Sequence, residues 1–343
     1  MHALDFLASP IGRALPRDAW PLAYAAIFVC AAGVCAAILW LLLKTGWAWS
    51  LATDVPNHRS LHTRPTPRVG GWGIVPVALL GMLLWAPGLR GVAAPALCLA
   101  LVSQIDDRRG LPARVRFIAH LLAAAWLAYW ASLPVWLVPF IVLTLVWAMN
   151  LYNFMDGVDG LAGGMALFGF GSFALAALPG GMPLAAACFV LSGAAVGFLA
   201  FNFPPARLFL GDAGSVPLGF LAGALGLAGW RAGVWDAVFP FVVFSPFLAD
   251  ASVTLLQRLL RGERFWEAHR EHYYQRMIRM AWGRRRVLAL WYASMFVAAA
   301  LALSLPAMSA AGETIAVLAW ALALVAAGVT VNRRWKKFCE ASA

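Results

Sequence analysis

The stretch NLYNFMDGVDGLAGG, residues 150–164, places carboxylates, amides and glycines between strongly apolar segments. Asp156 and Asp159 are three residues apart and share a face if a helix begins here. Asn150 and Asn153 add amide oxygens, which hard divalent cations accept as ligands. The glycines either let the backbone approach a ligand closely or serve helix packing. Carboxylates in so apolar a sequence are costly without a use, which favours a functional site.

Two further segments place carboxylates beside arginine or glycine. In IDDRRGL the neighbouring carboxylates of Asp106 and Asp107 repel each other unless a cation or a raised pKa relieves them, although the arginines that follow can also simply solvate them. In RLFLGDAGS, Gly211 and Asp212 lie where a helix would begin. Backbone amides there can bind phosphate, and an N-cap aspartate is the alternative.

Two basic segments supply further candidate site residues. DVPNHRSLHTRPTPRVGG, residues 54–71, is either an anion-binding loop or an ordinary basic loop at a membrane surface. Its candidate substrate-binding residues are Arg59, His62, Arg68, Gly70 and Gly71.

RGERFWEAHREHYYQRM, residues 261–277, has the pattern of an interfacial amphipathic helix. Phosphate or nucleotide contact is the favoured interpretation, and a metal-binding histidine pair is the alternative. The candidate residues are Arg264, His269 and His272.

Carboxylates, glycine-rich loops and arginines together are what magnesium-assisted phosphoryl transfer requires. The metal and the basic groups neutralise diphosphate charge, and positioning supplies most of the catalysis. The sequence therefore predicts a Mg²⁺ cofactor, with Mn²⁺ as an alternative.

The composition indicates an integral membrane protein. The chain has 343 residues, of which 63% are hydrophobic and only 12% are charged, whereas a soluble domain is nearer half apolar. The net charge of +11 would suggest nucleic acid as the partner of a soluble protein, but here the basic residues flank apolar runs. No nucleic-acid partner is expected, and the five cysteines show neither zinc nor disulfide spacing.

Apolar runs predict an all-α integral membrane protein with about 11 transmembrane helices. The predicted spans are 20–44, 73–85, 92–103, 117–131, 135–149, 161–178, 184–201, 216–230, 234–256, 287–305 and 314–331.

The distribution of lysine and arginine predicts the orientation of these spans. All but four of the 26 basic residues fall on one face, together with the acidic motifs. We therefore expect a periplasmic N-terminus, a cytoplasmic C-terminus and a first span that is not removed as a signal peptide. The prediction is one polytopic domain, residues 1–343, with active-site loops 45–72, 104–116, 149–164, 204–215 and 257–286 on the cytoplasmic face of a bacterial inner membrane.

In combination and order, four of these motifs resemble the polyprenyl-phosphate N-acetylhexosamine-1-phosphate transferases (glycosyltransferase family 4). They are DVPNHRSLHTRPTPRVGG, IDDRRGL, NLYNFMDGVDGLAGG and RLFLGDAGS. The similarity extends over about residues 54–277 and is strongest to the O-antigen-initiating branch, which is related to phospho-N-acetylmuramoyl-pentapeptide transferase.

The resemblance implies transfer of a sugar 1-phosphate from a UDP-amino sugar to undecaprenyl phosphate, with release of UMP. It implies that Asp212 is a metal ligand with Asn153 as a second ligand, and that Asp106 deprotonates or orients the lipid phosphate beside Asp107. Asp156 and Asp159 match acids near the nucleotide and diphosphate, and His272 matches the first histidine of a cluster. A homodimer is a further option.

This sequence departs from the family pattern at two places. HYYQ at residues 272–275 stands where HxHH is common, so Tyr274 and Gln275 replace histidines. No lysine occupies the third position after Asp107, which departs from the muropeptide branch and favours a plain amino-sugar substrate.

The sequence offers several rival functions. A transporter should carry its charges near the middle of the membrane, but here only Asp236 and Asp250 approach the interior of a predicted span. A membrane scaffold would not need the carboxylates. Aspartate-rich prenyltransferases have a third acidic residue at the position that Gly110 occupies here. CDP-alcohol transferases have Ala-Arg after the Asp-Gly element, where this chain has Val158-Asp159. A muropeptide-type transferase is the nearest enzyme alternative.

Overall fold

The computed structural model describes residues 19–56, 63–180, 182–263 and 269–341, and these form an almost entirely α-helical protein. The helices are α1 Trp20–Thr45, α2 Trp47–Leu51, α3 Gly70–Trp85, α4 Arg90–Arg109, α5 Ala113–Trp130, α6 Val138–Phe154, α7 Leu161–Ala177, α8 Met182–Asn202, α9 Asp212–Arg231, α10 Val238–Val243, α11 Ser245–Leu260, α12 Tyr273–Arg279, α13 Arg284–Ser304 and α14 Ala310–Ala341. Short 3₁₀ turns, Pro87–Leu89 and Leu305–Ala307, precede α4 and follow α13.

The predicted all-α membrane fold is confirmed, but the count of 11 spans is not. In the described part of the chain, six helical segments are long and apolar enough to cross a bilayer. They are Trp20–Thr45, Pro87–Arg109, Pro183–Asn202, Asp212–Arg231, Arg284–Ala307 and Ala310–Ala341. The apolar helices α3, α6 and α7 have 16 or 17 residues, which is slightly short of the roughly 20 needed to span the hydrocarbon core.

The predicted span 234–256 is interrupted. It forms α10 and α11, which meet at Phe244. Pro246 has no backbone N–H to donate to the carbonyl of Val242, and that carbonyl accepts the Ser245 hydroxyl at 2.6 Å instead.

Helix α4 extends further than expected. The sequence placed the acidic pair in a loop that begins at residue 104, whereas the helix continues to Arg109. Asp106 and Asp107 therefore lie on its last turn, where the regular backbone fixes the directions of their side chains.

The packing of the helices brings their polar ends together. Helix α8 packs against α1, α3 and α7, while α9 packs against α4 and α6. Gly71, at the start of α3, lies so close to α9 that an added Cβ would come within 2.5 Å of the Ala213 carbonyl carbon. The N-termini of α3 and α9 therefore meet through backbone atoms.

A short polar framework joins the segments before α3 and α9. Thr53–Asp54 pairs antiparallel with Thr66–Pro67, and Arg68 forms a parallel bridge with Phe209. The backbone N–H of Phe209 donates to the carbonyl of Pro67 at 2.8 Å. These bonds hold Arg68 beside the start of α9.

Candidate active site

Asp212 is a partly exposed carboxylate in a cluster at this end of the bundle. It opens α9, and Asn153 of α6 donates to its Oδ1 through Nδ2 at 2.9 Å. The same amide nitrogen donates to the Ser215 hydroxyl at 3.0 Å. The Asp212 side chain is 27% exposed, so one carboxylate edge remains open to a ligand.

Arg116 links Asp212 to the acidic pair of α4. Its Nη1 lies 3.2 Å from Asp106 Oδ2 and 3.9 Å from Asp212 Oδ2. Asp106 also accepts the backbone N–H of Leu111 at 2.5 Å. Both oxygens of Asp106 are thus engaged, and Arg116 supplies a partly exposed cation between two carboxylates.

Asp107 is fully enclosed and braces the start of α9. Its side chain is 0% exposed, and its Oδ2 accepts the backbone N–H of Ala213 at 3.0 Å. Its Oδ1 has no hydrogen-bond partner and lies 3.6 Å from Arg68 Nη1. Gly211 has φ +74°, and a Cβ there would be 2.9 Å from the Asp107 carboxylate. Glycine is therefore required for this turn.

Arg68 is held by two carboxylates. Its Nη2 pairs with Asp54 Oδ2 at 2.9 Å, and its Nη1 faces Asp107. Burial lowers the pKa of Arg68, but Asp54, Asp107 and Asp212 outweigh this effect and raise the pKa above its ordinary value. Arg68 is therefore a permanent second cation of the cluster, paired with Asp54 and facing Asp107.

Asp156 joins the same cluster from the turn between α6 and α7. Its pKa is raised well above its usual range, first by burial and then by the nearby carboxylates of Asp212 and Asp107, while Arg68 opposes the shift. The gathering of Asp107, Asp156 and Asp212 is therefore electrostatically unfavourable in the absence of a further cation.

These oxygen donors fit the divalent cation that the motifs imply. In the described ranges no three His, Cys, Asp or Glu side chains form a ready-made metal cluster. However, Asp212 has an accessible carboxylate beside the Asn153 amide, and the buried Asp107 Oδ1 lacks a hydrogen-bond partner. Carboxylate and amide oxygens are the ligands that Mg²⁺ prefers.

His272 belongs to a second group of residues, organised by Asp250 of α11. Its Nδ1 lies 3.1 Å from Asp250 Oδ1. The Asp250 carboxylate also accepts the backbone N–H groups of Tyr273 and Tyr274, at 2.9 and 3.2 Å. Asp250 thus satisfies the free amides at the start of α12 and fixes the orientation of the His272 imidazole.

Tyr274 connects this group to the aspartate cluster. Its hydroxyl donates to the carbonyl of Phe154 at 3.1 Å, and a Cβ at Gly157 would strike that hydroxyl. The His272 ring stacks against the rings of Phe154 and Tyr274, with centroid distances of 6.1 and 5.9 Å. The histidine segment therefore packs directly under the turn that carries Asp156.

Comparison with known proteins identifies the family. Residues 89–229 match the sequence model of Glycosyl transferase family 4. A decaprenyl-phosphate N-acetylglucosaminephosphotransferase of Mycobacterium tuberculosis is 31% identical over 295 residues, covering 70% of this chain and 72% of the relative. The chain belongs to glycosyl transferase family 4.

Other members of this family are similar over a comparable length. A probable undecaprenyl-phosphate N-acetylglucosaminyl 1-phosphate transferase of Bacillus subtilis is 27% identical over 268 residues, covering 72% of this chain and 75% of the relative. A phospho-N-acetylmuramoyl-pentapeptide-transferase of Acaryochloris marina is 28% identical over 287 residues, with 71% and 75% covered. The resemblance inferred from the four motifs is confirmed, and membership in a transferase family decides against a transporter or a scaffold.

The candidate site brings together seven of the 16 residues that the sequence predicted. Asp106, Asp107, Asn153, Asp156, Gly211, Asp212 and Arg68 share contacts or electrostatic interactions. Asn150 lies one turn before Asn153 and donates to the carbonyl of Val146 at 2.7 Å. Gly70 and Gly71 are buried against Phe198 and Ala213, so they serve backbone packing beneath the site.

The histidine segment is only partly within the described residues. Arg59, His62 and Arg264 lie outside them. The ring of His269 lies 4.9 Å from that of His272. Burial, His272 and Arg258 lower the pKa of His269 to about 4, so this imidazole is neutral at physiological pH and contributes hydrogen bonding without charge.

Asp159 lies apart from the cluster. Its Oδ2 accepts the backbone N–H of Ala206 at 3.0 Å and is 4.0 Å from Arg284 Nη1. The neighbouring Gly160 N–H donates to Asn202 Oδ1 at 2.8 Å. These contacts fasten the turn before α7 to the segment after α8, which favours a positioning role over the direct catalytic role that the sequence suggested.

Two substitutions of Asp159 separate these roles. Asp159→Asn retains an acceptor for Ala206 and should keep turnover within about tenfold of wild type. Asp159→Ala leaves the partly buried Ala206 N–H without its acceptor and should lower the free energy of unfolding by about 1 kcal/mol. Turnover and thermal unfolding in detergent measure the two effects. Equal and near-complete loss of turnover in both variants, with unchanged stability, would establish a catalytic Asp159.

Sequence reasoning missed Arg116 and Asp250. A basic residue in the first turn of a helix opposes the helix dipole, so Arg116 near the start of α5 carried a signal. Asp250 stands out in the sequence only as a carboxylate inside an apolar span, where a partner is required. Neither signal identifies the partner, because the contacting residues lie outside the helix that carries the signal.

Gly157→Ala should disturb the Asp156 turn through overpacking, which typically costs about 1–3 kcal/mol. The added methyl group would strike the Tyr274 hydroxyl. We expect lower turnover and a lower melting temperature, with partial recovery in Gly157→Ala/Tyr274→Phe because the obstructing oxygen is absent. Additive losses in a double-mutant cycle of turnover and melting temperature would contradict the contact.

Proposed function

We propose that this family 4 enzyme transfers an N-acetylhexosamine 1-phosphate from a UDP-sugar to undecaprenyl phosphate. The products would be undecaprenyl diphosphate-sugar and UMP, and the reaction would be the first membrane step of O-antigen or other surface-polysaccharide synthesis. The proposal rests above all on one observation. Carboxylates and arginines from five segments meet at one end of an apolar helix bundle, around the partly exposed carboxylate of Asp212.

The reaction needs both negative and positive side chains at this place. An oxygen of the lipid phosphate would attack the sugar-linked phosphorus of the donor, and the bond between that phosphorus and the oxygen bridging to UMP would break. A phosphate monoester has its second pKa near 6, so the attacking group is largely a dianion and no proton transfer is required. This favours an orienting role for Asp106, whose oxygens hold Leu111 and Arg116.

Arg116 and Arg68 would bind the phosphate oxygens. Arg116 is partly exposed and lies between Asp106 and Asp212, while Arg68 flanks Asp107. Positioned cations stabilise the charge that spreads over the equatorial oxygens during phosphoryl transfer. His272, fixed by Asp250, is available to bond the donor from the α12 side.

We propose Mg²⁺ as the cofactor, held by Asp212 with Asn153 as a second ligand. The ion would supply neutralisation of the diphosphate charge. Mn²⁺ offers similar oxygen coordination and is the alternative to test. Removal of divalent ions by a chelator should stop turnover, and Mg²⁺ should restore it.

An apolar cavity supports a lipid acceptor. A cavity of about 540 Å³ lies between α6, α9, α10 and α11, with almost entirely apolar walls. Its wall includes Tyr152, next to Asn153, and Gly219, two turns beyond Asp212. The cavity therefore lies along the helices that carry Asn153 and Asp212, where a polyprenyl chain attached to a bound phosphate could be held.

The location follows from the positive-inside distribution. We propose that the enzyme lies in a bacterial inner membrane with its site facing the cytoplasm, where UDP-sugars are available.

Purified protein, Mg²⁺ and undecaprenyl phosphate should release labelled UMP with a UDP-N-acetylhexosamine. UDP-N-acetylmuramoyl-pentapeptide should give none, because the position three residues after Asp107 is Gly110 rather than lysine. UMP release only with the muropeptide donor would overturn this choice in favour of the alternative.

A further inference from the structure

A cluster of arginines and tryptophans lies where α12, α13 and α14 meet, away from the aspartates. The guanidinium carbons of Arg286 and Arg334 lie 5.3 and 5.1 Å from the ring centroid of Trp282. That of Arg279 lies 4.6 Å from the ring centroid of Trp335. We call these five residues the basic–aromatic cluster.

The cluster has a large excess of positive charge. In the described part of the chain, Arg279, Arg286 and Arg334 have no carboxylate within ion-pair distance. Further exposed basic residues surround them, namely Arg285, Arg333, Lys336 and Lys337. Glu340, 3.9 Å from Lys336, is a nearby acid. The surface therefore attracts an anion.

The cluster lies where two candidate spans end. Helix α13 begins at Arg284, and α14 is apolar up to Val331 before its basic residues start. Both Arg284–Ala307 and Ala310–Ala341 are long and apolar enough to cross a bilayer. The cluster is thus placed at a bilayer surface, at the depth of the lipid phosphates, where tryptophan is also favoured.

The position of each guanidinium carbon over an indole ring suits phosphate recognition. A guanidinium held over the face of an indole has N–H donors that can still reach two oxygens of one phosphate. Basic groups at the ends of membrane helices bind anionic headgroups. We propose that the basic–aromatic cluster binds the phosphate of an anionic phospholipid. This site uses no residue of the active site, so its test does not depend on the proposed reaction.

If these basic residues served only to set the orientation of the helices in the membrane, their positive charge alone would matter. Phospholipid binding by the cluster also requires Trp282, which positions two of the arginines. Trp282→Leu leaves the net charge unchanged and removes the ring that holds Arg286 and Arg334. Lys44 lies 4.5 Å from the ring centroid of Trp40 at the end of α1. Trp40→Leu and Lys44→Gln therefore serve as matched controls for a single cation–aromatic pair outside the cluster.

The experiment measures binding of dioleoylphosphatidylglycerol and dioleoylphosphatidylcholine to the delipidated full-length protein by native mass spectrometry. Wild type should prefer phosphatidylglycerol. Arg286→Gln/Arg334→Gln should weaken its binding about 25-fold, at about fivefold per arginine, and Trp282→Leu by about fivefold. Both controls should bind as wild type, and thermal unfolding should show that every variant is folded.

Three outcomes would overturn the proposal. The first is equal affinity of wild type for the two phospholipids. The second is wild-type phosphatidylglycerol binding in Trp282→Leu and the arginine double variant, which would leave only a topology signal. The third is loss of undecaprenyl phosphate binding, with unchanged phosphatidylglycerol binding, in the double variant. That result would assign the cluster to the acceptor.

Discussion

Replacing Asp212 by asparagine should reduce turnover by about 10³-fold while leaving the protein folded. Asparagine keeps an oxygen for the Asn153 amide, which lies 2.9 Å from Asp212 Oδ1, so the packing of α6 against α9 is preserved. It removes the negative charge that would hold Mg²⁺ against the donor diphosphate. Release of labelled UMP from a UDP-N-acetylhexosamine measures the loss.

Asp236→Asn is the matched control, because Asp236 is an exposed aspartate beyond the other end of α9. It should keep wild-type turnover. The apparent affinity for Mg²⁺, measured by titration of activity in the weakly active variant, should fall for Asp212→Asn. Turnover of Asp212→Asn within about tenfold of wild type would refute its assignment as a metal ligand.

Arg116→Gln should reduce turnover by about 10²-fold, the typical effect of removing one electrostatic contact to a reacting group. The substitution removes the cation that lies 3.2 Å from Asp106 and 3.9 Å from Asp212. Arg116→Lys should be intermediate, because lysine keeps the charge but loses the planar pair of donors. The effect should appear in kcat with both substrates saturating.

Arg114→Gln provides the comparison for Arg116→Gln. Arg114 lies on the same first turn of α5 and is exposed, so the two variants change the net charge equally. Only Arg116→Gln should lose activity. Equal losses in the two variants would point to the general potential of the surface instead of a contact, and no loss in either would remove Arg116 from the site.

Much of the candidate site was predictable because its residues belong to short local motifs. Asp106, Asp107, Asp156 and Asp212 each lie beside glycine or arginine in a short polar segment of an apolar chain. A carboxylate in such a setting is costly unless it is used, so its position along the chain is informative by itself. The helical segments were found for a similar reason, since only helices satisfy the backbone in lipid without partners from other segments.

The sequence-based predictions differ from the structure at residues whose side-chain directions depend on contacts with distant parts of the chain. Asp159 has the same local signal as Asp156, yet its carboxylate accepts the backbone N–H of Ala206, whereas the pKa of Asp156 is raised by burial and by the carboxylates of Asp212 and Asp107. By sequence, Tyr274 and Gln275 stand in for family histidines. In the structure the Tyr274 hydroxyl donates to the carbonyl of Phe154, and Gln275 Oε1 accepts the backbone N–H of His272 at 3.2 Å. A motif gives the residue type but not the direction of the side chain.

The sequence by itself determined that this is a helical membrane protein with acidic and basic chemistry in short segments between apolar helices, and that it belongs to a family of glycosyl transferases. Those properties depend on composition, periodicity and local motifs, which the linear order carries. The tertiary structure alone decided that Arg116 joins Asp106 to Asp212, that Asp250 orients His272, and that three arginines lie over the rings of two tryptophans. Such pairings depend on which helix faces pack together, and packing is a property of the whole fold.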